Sequence, residues 1–538
     1  MRRSLLLGLA LLLIGSLAIV TSPGAVAGGG PGTTVGPVVA DGSGAHGAGL
    51  GVTGALPLHA QALATAKLHA DEHALGNARL SGGTPVSTLG WSGATDPQVT
   101  PPDTTGAIGP NSYIELINLQ YEIFNQSDNI ISAGPIENIT AGSHACLTDP
   151  QIIWDPDRQQ FFYSILDTCN ETFDLGFSKT ANPTGGGASQ WCQYSAFQYG
   201  SQLPDFPKLG DSRDFIFIGS NVFTNAIFTY IYDRSDVAWI NKSDLSYNAS
   251  TDTCNYSGIR AGVFTGVTDA FGALASTPVP ANNVEYKDPN GYVVADPDAS
   301  SQPNGVATHL TLFTIGNDGS GNAALVSTKN VPLATGYSVP ANAPQPGTKK
   351  KIDTSDGRLT QAVAAVDPVA GQMAIWTQHT VFGGAGAQVR WYEISAATGA
   401  LLSSGTVSNG SLYAFNAAIS PDRAVTPTGQ RFGGSMALTF NTSGSGKGNF
   451  PAIRYVTKPA GGAQTAWPGV LVAQSPGRNV DFSCATGPCR WGDYAGASPD
   501  PTPAGSSGGT VWLANQWNKA STTSNDVDWR TQIFSVSP

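Results

Sequence analysis

The stretch "DPQIIWDPDRQQFFYSILD", Asp149 to Asp167, constrains this chain most, because its pattern recurs. An acid leads a short apolar run (Ile152 to Trp154), a turn-like DPDRQQ follows, and a second apolar run covers Phe161 to Leu166. Short apolar runs bounded by Pro, Asp and Gly read as strands joined by a tight connection. "DTTGAIGPNSYIELINLQYEIFN", from Asp103, places its acid at the same distance from its Gly-Pro turn. "QAVAAVDPVAGQMAIWTQH", from Gln361, keeps the spacing with an amide in place of the acid. Units led by Asn416 ("NAAISPDRAV") and Asp493 ("DYAGASPDP") follow with small shifts. A looser copy starts at Asp211, and a stretch from Asp269 completes the series.

Seven units of three or four strand-like runs are what a β-propeller of four-stranded blades requires. The last unit offers only three runs, and a free sheet edge there is a liability. The strand-like "TPVSTLGW" (84–91) precedes the first unit and is expected to supply the missing outer strand. The fold class expected is therefore all-β: a propeller over 84–538, seven four-stranded blades closed by an N-terminal strand. Six or eight blades fit nearly as well, and a pair of β-sandwiches is the competing fold. Charged residues at 12 %, with 65 Gly and 36 Pro, suit short strands and many turns better than long helices.

Residues 1–27 read as a signal peptide: Arg2 and Arg3, an apolar run from Leu5 to Val20, and a small-residue site at Ala25-Val26-Ala27. The apolar run is short for a membrane span, which needs about 20 residues. No later stretch is long and apolar enough to act as a transmembrane anchor. A secreted, extracellular, monomeric protein is expected. Residues 28–83 read as a flexible Gly/Ala-rich leader with a short helix. Within it His69, Glu72 and His73 fit the HxxEH pattern of inverted zinc peptidases, but no third ligand or helical domain accompanies them. An exposed polar helix or a pro-segment is the expectation there.

The chain carries 27 Lys and Arg against 38 Asp and Glu, a formal charge of −11, or −13 once Arg2 and Arg3 are removed. Such a surface repels phosphate backbones, which argues against nucleic acid as partner. Six cysteines suit three disulfides in an oxidising compartment. Cys484 and Cys489, which enclose only ATGP, are the expected pair. Cys146, Cys169, Cys192 and Cys254 leave three pairings open.

The segments DPQIIWDPDRQQFFYS, FPKLGDSRDFIFIG and RWGDYAGASPDP resemble the secreted sialidase-like, BNR-type β-propellers, particularly their uncharacterised bacterial members. The resemblance covers about 84–538 and is one of blade organisation. It implies the propeller fold and lends little support to hydrolase activity. The Asp-box S-x-D-x-G-x-x-W of true sialidases is absent, and no arginine triad or Tyr/Glu nucleophile pair can be picked out. An enzyme is therefore left open, a glycoside hydrolase if any, with no catalytic residue assigned.

In a propeller the innermost strand of each blade lines the central channel, so the residue leading that strand lies on one rim. Asp103, Asp149, Asp211, Gln361, Asn416 and Asp493 are thus expected to share a ring, flanked by Arg213, Arg490, Trp491 and Tyr494. Clustered carboxylates raise one another's pKa values. Protons, water or Ca²⁺ held by Asp149, Asp211 and Asp493 relieve this, since hard oxygen ligands favour calcium. Against that stands the plain reading, in which such residues cap turns. Arginines and aromatics beside carboxylates suit sugars, so the expectation is a propeller binding a glycan or cell-surface polymer through this funnel. The alternative is a sialidase-like glycoside hydrolase or polysaccharide lyase using two rim carboxylates.

Overall fold

The computed structural model describes residues 90–538, apart from 141–145, 227–228, 286–287, 426–430, 486, 503–508 and 520–526. The signal segment, the leader with its HxxEH motif, and residues 84–89 of the expected closing strand lie outside the described residues.

The strands form seven blades of four antiparallel strands; blade 5 gains a two-residue parallel addition, Asn282–Asn283. The first strands of blades 1 to 7 are Thr105–Ile108, Leu147–Asp155, Gln202–Asp211, Ser276–Pro280, Leu359–Asp367, Tyr413–Pro421 and Gly496–Pro499. Each of them touches the first strand of the next blade, and the seventh touches the first, so they close a ring about one axis. Blade 7 takes its fourth strand from the other end of the described chain: Trp91–Ser92 pairs with Trp529–Val536, Trp91 opposite Ile533. The outermost edge of the last blade is thereby covered, as the sequence demanded. Glu115 is buried at this junction and accepts from Ala94 N (2.6 Å), Thr104 Oγ1 (2.9 Å) and Thr531 Oγ1 (3.1 Å).

Packing between blades is aromatic and aliphatic. Trp154, Phe161, Tyr163 and Trp191 are buried between blades 1 and 2. Full burial of each such ring contributes about 2–3 kcal/mol. Where blade 4 presses on blade 3, a Cβ at Gly219 would lie 2.0 Å from the Pro278 carbonyl oxygen, so only glycine permits that approach. Three disulfides staple the blades: Cys146–Cys169, Cys192–Cys254 and Cys484–Cys489. The pairing of the outer four thus falls on one of the three alternatives left open.

One device repeats in the innermost strands. Blades 2, 3, 4 and 6 each carry a bulge whose first residue has positive φ: Asp149 (55°), Phe206 (57°), Thr277 (47°) and Asn416 (48°). In blade 1 Asp103 (49°) holds the same conformation just ahead of the strand. Bulges re-aim a side chain, and left-handed backbone is uncommon outside glycine, least of all expected for a β-branched threonine. Recurrence at one level of the propeller marks that rim as a built feature.

Candidate functional site at the leading rim

Two residues link blades 1, 2 and 7 at this rim. Asp103 Oδ1 accepts from Asp493 N (2.7 Å) and its Oδ2 from Asn118 Nδ2 (2.8 Å). Asn118 Oδ1 in turn accepts from Asp149 N (2.9 Å). Asp103, Asp149 and Asp493 therefore meet, although 390 positions of sequence separate the first from the last. Burial, with the fields of Asp493 and Asp149, pushes the Asp103 carboxyl up to about 8.

Their counter-charge is a lysine that sequence reasoning missed. Lys208, just after the blade 3 bulge, is 1 % exposed. Its Nζ stands 3.1 Å from the Tyr494 ring centroid and 3.8 Å from that of Phe206, a cation–π placement. The Nζ makes no hydrogen bond among the described residues, and neither does the buried Tyr494 hydroxyl. Burial holds the lysine well below its usual value despite the nearby Asp149, Asp493 and Asp103.

Above this floor the site opens. Arg490 bridges Asp493 (2.6 Å) and Asp353 (3.4 Å), while Arg358 forks onto Asp356 and lies 4.5 Å over the Phe206 ring. The side chains of Arg490, Arg358 and Asp356 are 18, 24 and 50 % exposed, so this charged cluster reaches solvent above the buried floor. Asp205, half-buried beside the bulge, lies in the field of Arg358, and its side chain accepts no hydrogen bond among the described residues. Below the floor the channel narrows to about 30 Å³, lined by Thr105, Gln151, Lys208, Asn282, Gln361 and Ser498, too little for a sugar ring. A ligand entering from this rim must stay at the mouth.

The other sequence-derived positions divide. Asn416 is buried and donates to Asn441 Oδ1 (3.0 Å), which also accepts from Trp491 Nε1 (2.8 Å). Trp491 is packed against Ala343, Ile352 and Phe415, so it serves packing between loops and blades rather than an open surface. Gln361 reaches across the axis to the Ala497 carbonyl (2.6 Å).

Asp211 and Arg213 are not at this rim. Asp211 ends its strand, where it and Asp155 grip Lys242 Nζ at 2.7 and 2.5 Å. Six residues of strand separate Asp211 from Asp205, roughly 20 Å at the usual rise. Asp149, Asp211 and Asp493 consequently form no common metal site. Among the described residues, the cluster of His, Cys, Asp or Glu ligand atoms found at chelating distance is Cys146, Asp167 and Cys169, and its cysteines are joined in a disulfide. Arg213 pairs with Asp214 (2.8 Å) in a separate cleft of about 320 Å³ on the trailing rim, shared with Arg158 and Arg260. The misplacement has a definite cause: two acids stand six residues apart both at Asp149/Asp155 and at Asp205/Asp211, and the pattern was anchored on the wrong member. The dipeptides Asp149-Pro150, Phe206-Pro207 and Thr277-Pro278 carry the correct register.

No protein-family model matches the chain, and no curated protein matches it. Among solved structures, the Dos1 propeller is similar at 8 % identity, TM-score 0.30, over 79 % of this chain and 75 % of that one. A Trp149Ala mutant of the Synechocystis apocarotenoid oxygenase gives 10 % identity and TM-score 0.37, over 72 and 75 %. An α-L-arabinofuranosidase from Podospora anserina, in complex with cellotriose, gives 10 % and 0.28, over 62 and 91 %. Likeness at these scores says nothing of function. The propeller rests on the blade pairing and the closed ring of first strands.

Proposed function

We propose that this chain is an exported β-propeller that binds a glycan or cell-surface polymer at the mouth of its leading rim. The observation that carries this reading is the charged cluster at the rim: solvent-reaching Arg490, Arg358 and Asp493 stand beside two buried polar groups with no hydrogen-bond partner among the described residues, Lys208 Nζ and Tyr494 OH. Sugar hydroxyls pair with such charges and donors, and the narrow channel below keeps a long polymer at the surface. Residues 1–27 act as a cleaved signal, 28–83 as a leader and 84–538 as the binding body, a monomer. No helix among the described residues is long and apolar enough to cross a membrane. Blade organisation favours placement near the sialidase-like propellers. Capture of a sugar carboxylate in their manner is not favoured, since both mouth arginines already hold carboxylates.

Polysaccharide pull-down and glycan-array binding, each run with and without Ca²⁺, test the proposal. Retention of at least one polymer, weakened about tenfold or more by Arg490→Ala, is expected. Failure of every polymer in both conditions rejects it.

A hydrolase is the second reading, favoured by one observation: Asp103 and Asp493 meet at this rim, where Asp103 Oδ1 accepts from Asp493 N (2.7 Å), and burial raises the Asp103 carboxyl. An acid and a carboxylate together are what glycoside cleavage uses. Release of reducing ends from a bound polymer, abolished by Asp493→Asn, is its signature.

A further inference from the structure

The mouth is rich in carboxylates beyond the needs of its own cations. Asp205, Asp353, Asp356 and Asp493 surround Arg358 and Arg490, and Asp103, Asp149 and Lys208 lie beneath. Six carboxyls thus face three basic groups. With Asp103 protonated near neutral pH and Lys208 depressed, the balance stays negative. The guanidinium groups are committed, Arg358 to Asp356 through two N–H groups and Arg490 to Asp353 and Asp493. Asp205 is different, for it accepts no hydrogen bond among the described residues.

The floor shows what this environment accepts. Lys208 already places its amine nitrogen on the Tyr494 and Phe206 faces, among Asp149, Asp493 and Asp103. The Tyr494 hydroxyl, buried and unpartnered, lies in the fields of Asp149, Asp103, Asp493 and Asp205. Carboxylates with aromatic faces are the recognition chemistry of an amine.

We propose that the glycan taken at this rim carries protonated amino groups, as a de-N-acetylated hexosamine polymer does, with Asp205 as the carboxylate that meets the ligand's ammonium. This rests on the glycan-binding reading above and names its ligand class. It runs opposite to what a sialidase-like site would take, because a uronic or sialic carboxylate meets a negative mouth with no spare guanidinium.

Binding of the full chain to glucosamine oligomers, their N-acetylated counterparts and galacturonate oligomers, at low salt and mildly acidic pH, decides the matter. The amine-bearing oligomer should bind about tenfold or more tightly than its acetylated counterpart, with the gap closing as salt rises. Asp205→Asn should shrink that gap. Equal binding of the two, or a preference for galacturonate, overturns the proposal while leaving the glycan-binding reading standing. Loss of both ligands to the same degree in Asp205→Asn also overturns it. Ca²⁺ binding that blocks the site without any amine preference assigns the carboxylates to a metal and overturns it too. No glycan binding at all removes both readings together.

Discussion

Two buried lysines, at opposite ends of the innermost strands, hold nearly the same company and do different things. At the trailing end Lys242 is 2 % exposed and donates to Asp155 (2.5 Å) and Asp211 (2.7 Å). At the leading end Lys208 is as deeply buried, near three carboxyls, yet donates to none and rests on aromatic rings. The two carboxylates and their bonds outweigh burial and hold Lys242 above its usual value, while burial dominates at Lys208 and lowers it. A charge that is fully paired locks one blade to its neighbour. A buried amine without directed bonds makes no such lock and rests on ring faces instead.

That contrast predicts opposite responses to removing each charge. Lys242→Met leaves Asp155 and Asp211 facing each other in the interior, and an uncompensated buried pair costs about 3–5 kcal/mol. Denaturant unfolding of the oxidised protein should show a loss of that size. Lys208→Met deletes an ammonium with no hydrogen bond to lose and keeps an apolar chain over Tyr494 and Phe206. Its cost should be below about 1 kcal/mol. If the two variants lose equal stability, the division between lock and floor is wrong.

A pH series sharpens the same comparison. Asp103 and Asp211 ionise in the folded state near 8 and 7, both raised first by burial, against an ordinary 3.8. A raised carboxyl favours the fold fully below its unfolded value, and that contribution is lost as pH rises through the folded one. Stability should therefore fall from about pH 4 upward, with the slope easing near 7, where Asp211 stops contributing, and levelling near 8, where Asp103 does. Asp103→Asn should move the levelling down to about 7, and Asp211→Asn should remove the break near 7. Unfolding free energies that rise over this range would contradict both assignments.

How much of this was readable beforehand follows from what repeats. The acid-to-turn spacing at Asp103, Asp149 and Gln361 is dictated by the blade itself, so the fold and the meeting of Asp103, Asp149 and Asp493 were legible. Covering the open edge with an N-terminal strand followed from counting strands. Lys208, Asp205, Arg358 and Asp353 were not legible, because each occurs in one blade only and no period announces it. Asp211 and Arg213 went to the wrong rim because an acid six residues downstream of another imitates its register. Trp491 looked like a stacking platform, but the loop from Ala343 to Ile352 covers it, and loop placement has no signature in the repeat.

The smallest expected effect is the most discriminating. Asp205 is half-buried at the bulge of blade 3 and makes no hydrogen bond among the described residues, so Asp205→Asn should alter stability by no more than about 0.5 kcal/mol. Measured by the same denaturant unfolding, that near-silence separates a residue placed for a ligand from one placed for the fold. Its trailing counterpart, Asp211→Asn, weakens a bond to Lys242 that the interior depends on and should cost several times more. Should Asp205→Asn prove as damaging as Asp211→Asn, Asp205 belongs to the scaffold, and the leading rim loses a half-buried carboxylate whose side chain accepts no hydrogen bond among the described residues.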